Sequence, residues 1–98
     1  MNRRIDRVNE LLRQEISLLL SRQIKDPRLT GVISITQVKT TQDLRSALVS
    51  LSVMGDAAVK RDALEGIQSA ATYLRKALRD RLALRYVPFL SFEVDNSL

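Results

Sequence analysis

Between Ile5 and Ile24 the apolar residues Ile5, Val8, Leu12, Ile16, Leu19 and Leu20 return every three or four positions, the spacing of a helix that buries one stripe. The opposite side carries Arg3, Arg7, Glu10, Gln14 and Ser17, with Arg3 and Arg7 one turn apart. Asp26 precedes Pro27, whose ring pushes it out of helical geometry, so the helix is predicted to stop by about Lys25 and to give way to a loop, Lys25 to Gly31. From Val32 to Val38 β-branched residues dominate but alternate imperfectly, which predicts a strand partly buried on both faces. After the polar link Thr40 to Asp43, the residues Ala47, Val49, Leu51 and Val53 alternate cleanly with Ser46, Ser50 and Ser52. Those two strands are expected to pair as an antiparallel hairpin.

Gly55 ends the second strand, and Asp56 can cap a helix beginning at Ala57. Asp62 with Glu65 offers a later start of capping-box type, and the earlier start is preferred. Ala63, Leu64, Ile67, Ala70, Ala71, Leu74, Leu78 and Leu82 carry a helical stripe to about Ala83 whose middle is unusually small. Beyond Pro88, Leu90, Phe92 and Val94 alternate with Ser91, Glu93 and Asp95 to give a third strand. A helix returning from the second strand to the third is a crossover, so those two strands should run parallel and the sheet should be mixed. With three strands, one sheet face must be covered by the helices, leaving the other, with its Ser and Thr, for water or a partner. The expected architecture is α+β, one domain over residues 1–98.

The chain has 98 residues, 45% of them apolar, enough for one modest core. It contains no cysteine and no histidine, which removes disulfides, thiolate metal sites and the usual general base and metal ligand together. No run approaches the apolar length of a membrane span, and the N-terminus lacks the apolar region of a secretion signal, so a cytoplasmic location is expected. The net charge of +5 points to an anionic partner. Residues 1–31 carry seven basic and four acidic groups, residues 56–85 also seven and four, and the stretch between them two and one. Positive charge is therefore presented on helices, although a merely solvated helix face gives the same statistics.

Candidate chemistry is sparse. Serines occur without histidine, Lys76 sits beside Arg75, and nothing supplies an oxyanion loop, so a Ser–Lys nucleophile has little support. The carboxylates lie mostly near helix starts and turns, where capping and surface pairing are their expected roles. No phosphate-binding glycine loop and no metal-ligand spacing occurs, and no metal or cofactor is expected. The richest basic stretch, Arg75 to Arg85, sets five cations against one anion over about three helical turns, with Arg75 and Arg79 on one face. Arginine suits phosphate because its planar fork can donate twice to one anion, while Arg81 and Arg85 could equally be answering the helix dipole. Phe92 is expected in the core, so phosphate and shape readout is favoured over base stacking, with Tyr73 or Tyr86 able to add one stack.

Taken in order, Arg7-Val8, Glu15-Ile16-Ser17, Lys25-Asp26-Pro27-Arg28-Leu29, Asp43-Leu44 and the closing Leu84 to Phe92 with Asp95-Asn96-Ser97 resemble the bacterial ribosome-binding factor A family across essentially the whole chain. The resemblance implies a KH-like domain of the second type, with a kinked helix pair where KH domains carry a G-x-x-G loop that lets the RNA backbone approach. The family's kink is of Ala-x-Gly type. Here the matching positions are Ala70, Ala71 and Thr72, so threonine replaces glycine, and a threonine can bend a helix by bonding to a carbonyl one turn earlier. The resemblance further implies binding to the 30S ribosomal subunit and its precursors, contact with 16S rRNA, a non-catalytic role in late 30S maturation, and importance in the cold. The candidate RNA-contacting set is Arg3, Arg4, Arg7, Lys25, Arg28, Arg75, Lys76, Arg79, Arg81 and Arg85, on a protein expected to be monomeric off the ribosome. The rival reading is a protein-interaction module using the open sheet face or edge.

Overall fold

Leu12, Ile16 and Leu19 are buried along one stripe of α1 (Arg3–Arg22), as the three- and four-residue spacing requires, with Val8 and Leu20 packed half-buried beside them. The computed structural model describes residues 3–22, 33–84 and 86–95, so the Asp26-Pro27 stop and the loop to Gly31 lie outside the described residues. Two strands follow, β1 (Ile33–Thr40) and β2 (Ser46–Val53), then α2 (Ala57–Ser69), α3 (Ala71–Arg81) and β3 (Phe89–Val94). The sheet order is β1-β2-β3, antiparallel in the first pairing and parallel in the second, as the crossover demands. No described helix is long and apolar enough to cross a membrane.

The uneven pattern of β1 has a cause other than burial on both faces. Ile35 pairs with Leu51 and Gln37 with Ser50, so Thr36 is an extra residue in a β-bulge. A bulge resets the two-residue parity, which lets Ile35 and Val38, three apart, both enter the core. Thr36 Oγ1 donates to the Ser50 carbonyl at 3.2 Å, giving that acceptor a partner at the irregularity. The strand also runs on to Thr40, whose amide donates to Asn9 Oδ1 at 2.9 Å and so ties the hairpin to α1.

On β2, Ala47, Val49, Leu51 and Val53 point into the core, and the first three pair across the sheet with Leu90, Phe92 and Val94 of β3. α1 covers β1, α2 covers β2 and β3, and α3 touches both α1 and β3, so the helices occupy one face of the sheet. Ser34, Gln37, Ser52 and Glu93 lie on the other face by strand parity. Fully buried Leu12, Ile16, Leu51, Ile67, Leu74 and Leu78 form the centre, each stabilising the fold by about 1.5–3 kcal/mol through apolar burial.

Asp56 caps α2 as the earlier of the two starts, its carboxylate accepting from the Val59 amide at 2.9 Å. Gly55, at φ +140°, is needed there: a Cβ would lie 2.7 Å from Val59 Cγ1. The predicted long helix is two helices broken at Ala70, whose φ of −90° and ψ of 0° end α2 and begin α3. The bend does not come from Thr72. Ser69, the last residue of α2, donates its hydroxyl to the Glu65 carbonyl one turn back at 2.9 Å, the behaviour expected of Thr72. α3 also stops at Arg81, short of the predicted Ala83, because Leu82 turns extended (φ −113°, ψ 139°) once its amide has bonded to Leu78 O.

Candidate nucleic-acid interface

Parallel pairing of β3 with β2 brings the start of β3 beside two other elements, the β1–β2 turn and the first turns of α3. Hydrogen bonds fix this meeting point. The Phe89 amide donates to the Arg45 carbonyl at 2.8 Å, and Arg75 Nε donates to the Val87 carbonyl at 3.1 Å. The Arg75 guanidinium also lies over the Phe89 ring, 3.9 Å from its centroid, a cation–π contact that orients both side chains.

Along this seam run three adjoining hollows that share walls. The first lies against α3 and is lined by Thr72, Lys76 and Arg79 together with Arg75 and Phe89. A central hollow of about 490 Å³ shares Arg75 and Phe89 with the first and adds Asp43, Leu44, Arg45 and Tyr86. The third shares Asp43, Leu44 and Tyr86 and reaches Arg4, Val8 and Leu84. Together they form a groove with cations at both ends, Lys76 and Arg79 at one and Arg4 at the other, and with aromatics in the middle. Tyr86 is 67% and Phe89 65% exposed.

The β1–β2 turn that forms one wall is rigidly built. Thr41 N–H bonds to Ser46 O at 2.9 Å, and Leu44 N–H bonds to Thr41 O at 2.9 Å. Asp43 Oδ1 accepts from Thr41 Oγ1 at 2.6 Å and from the Arg45 amide at 3.0 Å. Those two bonds, the hydroxyl's first, hold the Asp43 carboxyl below the usual carboxylate range. Leu44 sits at φ +62°, a left-handed conformation that costs a leucine about 1–2 kcal/mol and persists because the surrounding bonds determine it.

The sequence-predicted cations separate into groups. Arg75, Lys76 and Arg79 line the groove, and Arg4 lines its far end. Arg3 and Arg7 are exposed on α1 outside the hollows and show no pairing with a described residue. Arg81 is committed elsewhere: its Nε donates to Glu15 Oε2 at 2.7 Å, an ion pair joining α3 to α1. Neither the helix dipole nor an anionic partner is needed to explain that residue. Lys25, Arg28 and Arg85 lie outside the described residues. Of the kink residues, Ala71 and Thr72 form part of the first hollow's wall, while Ala70 makes the break itself.

Sequence reasoning missed Arg45, Leu44 and the exposure of Phe89. Its signal was present: Phe89 has the parity of Ser91 and Glu93, the polar side of β3, and not that of Leu90 and Phe92. Phe92 itself is 7% exposed, in the core as expected. An aromatic is therefore available on a strand, and stacking joins phosphate contact among the things this surface can do.

A family model described as ribosome-binding factor A matches residues 4–98 of this chain. Ribosome-binding factor A of Acetivibrio thermocellus is 47% identical over 95 residues, covering 97% of this chain and 77% of that protein. The crystal structure of ribosome-binding factor A from Thermus thermophilus superposes with a TM-score of 0.83 at 20% identity, covering 96% of this chain and 98% of that one. A Thermus thermophilus coordinate set, fitted into a cryo-EM map of a complex between the 30S subunit and ribosome-binding factor A, superposes with a TM-score of 0.72 at 22% identity. It covers 87% of this chain and 88% of that one. At these identities the structural matches establish the shared KH-like fold.

Proposed function

The chain belongs to the ribosome-binding factor A family, and from that premise we propose that it binds the 30S subunit and its precursors through 16S rRNA and assists late rRNA processing and assembly without catalysis. The observation that carries this reading is the groove: cations at both ends, exposed aromatics between them, and walls held by hydrogen bonds to backbone carbonyls. Such a surface is complementary to a phosphate backbone and to unstacked bases. Support also comes from the fitted Thermus thermophilus relative, which is named in complex with 30S.

Binding alone suffices as mechanism. A factor with higher affinity for one of two rRNA conformations shifts their populations by that difference, and no bond is made or broken. The protein acts as one RNA-holding unit in the cytoplasm, monomeric when free. Replacing Lys76 and Arg79 together by glutamine tests this, because neither shares the Val87 contact that ties Arg75 into the fold. Sedimentation with 30S particles at graded salt should show affinity falling about tenfold or more and the salt slope reduced by about two. Affinity and slope both unchanged would remove the groove from the interface. A weak salt response of the unaltered protein would instead favour protein-mediated contact.

A further inference from the structure

The groove has one feature that a phosphate channel should lack. Its central hollow contains a carboxylate, Asp43, between Arg45, Arg75 and the exposed rings of Tyr86 and Phe89. Asp43 is exposed and forms no ion pair with a described residue, so its charge is not cancelled by a bridge. A phosphate placed against Asp43 itself would be repelled, whereas Arg45 and Arg75 on the same walls and the cationic ends would attract one to either side of it. The centre is thus chemically suited to the uncharged part of a nucleotide, its base.

Resting on the reading that the groove binds RNA, we infer that Asp43 accepts hydrogen bonds from the Watson–Crick edge of one unpaired guanine seated in the central hollow. The carboxylate is an acceptor with about four lone-pair positions. Oδ1 uses its share on Thr41 Oγ1 and the Arg45 amide, which leaves Oδ2 for a ligand. Guanine alone among the four bases presents two adjacent donors on that edge, N1–H and the N2 amino group. Adenine and cytosine set one amino donor beside a ring-nitrogen acceptor, and uracil flanks one N–H with two carbonyls, so each would turn an acceptor toward the carboxylate. Tyr86, 67% exposed, supplies an aromatic face on which the base can stack.

The geometry is prepared before any ligand arrives. Leu44 is held at φ +62° and the turn is closed by hydrogen bonds from the Thr41, Leu44, Arg45 and Ser46 amides and from the Thr41 hydroxyl. The turn therefore need not reorganise to present Asp43.

The experiment uses the full chain and seven-nucleotide RNAs of sequence UUUNUUU, with N as guanosine, inosine, adenosine, cytidine or uridine, in fluorescence anisotropy competition. Guanosine should bind about tenfold tighter than uridine, the scale of discrimination expected of one good polar base contact, with inosine between them because it keeps N1–H and lacks the amino group. Asp43→Asn keeps an oxygen for Thr41 and Arg45 but replaces Oδ2 by a donor. It should bring guanosine within about twofold of uridine while the protein still melts in one cooperative transition, and adenosine and cytidine should gain. Equal affinity for the five RNAs, or a guanosine preference that survives Asp43→Asn, overturns the inference. So does failure of every heptamer to bind while 30S particles are still bound, an outcome that leaves the proposed function standing. Loss of both kinds of binding overturns the two together.

Discussion

On α1, Glu10 holds Arg13 through its Nε at 3.0 Å and also accepts from Gln14, while Glu15 takes Arg81 from the neighbouring helix. On α3, Lys76 and Arg79 line a hollow whose walls carry an aromatic ring and no acid of their own. Residues 1–31 and 56–85, the segments that contain α1 and α3, each carry seven basic and four acidic groups, yet the surfaces of the two helices differ. What distinguishes them is where the carboxylates point: on α1 Glu10 and Glu15 are occupied by arginines, and on α3 the one acid, Asp80, lies outside the groove wall. A count of charges reports the first quantity and not the second. Potential toward a ligand depends on pairing, and pairing is set by spacing along α1 and by the packing of α3 against α1.

The sharpest way to break that contrast is at Arg75, which belongs to both descriptions. Its Nε satisfies the carbonyl of Val87, a residue 5% exposed, and its guanidinium covers Phe89. Arg75→Ala should therefore cost about 1–3 kcal/mol by stranding that carbonyl, lowering the melting temperature by several degrees, in addition to weakening RNA binding. Lys76→Ala should change stability by less than about 0.5 kcal/mol while still weakening binding. Thermal melts of the two variants side by side check the pair. Equal melting temperatures would mean that the α3 cations are interchangeable and that the Arg75 contacts are incidental.

Much of this was legible in the sequence because it follows from periodicity. The stripe Leu12, Ile16, Leu19 marked α1, the Ala47 to Val53 alternation marked β2, and a helical segment between two strands forced the parallel pairing with β3. What was not legible depends on backbone detail without a periodic trace. The Thr36 bulge looks like burial on both faces until the register is known. Leu44 carries no hint of a left-handed conformation, since leucine is an improbable residue there and only the Asp43 and Thr41 bonds sustain it. The groove was half legible: its cations were, but Asp43 and Arg45 become neighbours of Arg75 only through the sheet, despite their distance from it along the chain.

A smaller effect is expected where α1 and α3 are joined. The Arg81–Glu15 pair is partly exposed, at 42% and 20% for its side chains, so solvent screens most of its attraction. A double-mutant cycle of Arg81→Gln and Glu15→Gln should give a coupling of about 0.5–1 kcal/mol that shrinks in high salt. RNA affinity of Arg81→Gln should stay within about threefold of the parent, a much smaller loss than that expected at Lys76 and Arg79. A loss at Arg81 as large as theirs would return it to the interface and erase the distinction between paired and ligand-facing arginines.

The least perturbing probe of the same distinction is the titration of Glu10. Arg13, by hydrogen bond first, and Gln14 hold its carboxyl below the ordinary glutamate value. A group whose folded pKa is depressed contributes stability that is fully present above its unfolded value and is lost as pH falls through the folded one. Nothing should therefore change between neutral pH and the ordinary glutamate range, and the loss should begin only below it. Because the pair is solvent-exposed, the clearest readout is the carboxyl carbon shift of Glu10 followed by NMR. Arg13→Gln should move its midpoint upward toward the ordinary value, and added salt should do the same to a lesser degree. A midpoint indifferent to both would show that α1 leaves Arg13 free, and the contrast with α3 would then have to rest on the Arg81–Glu15 pair alone.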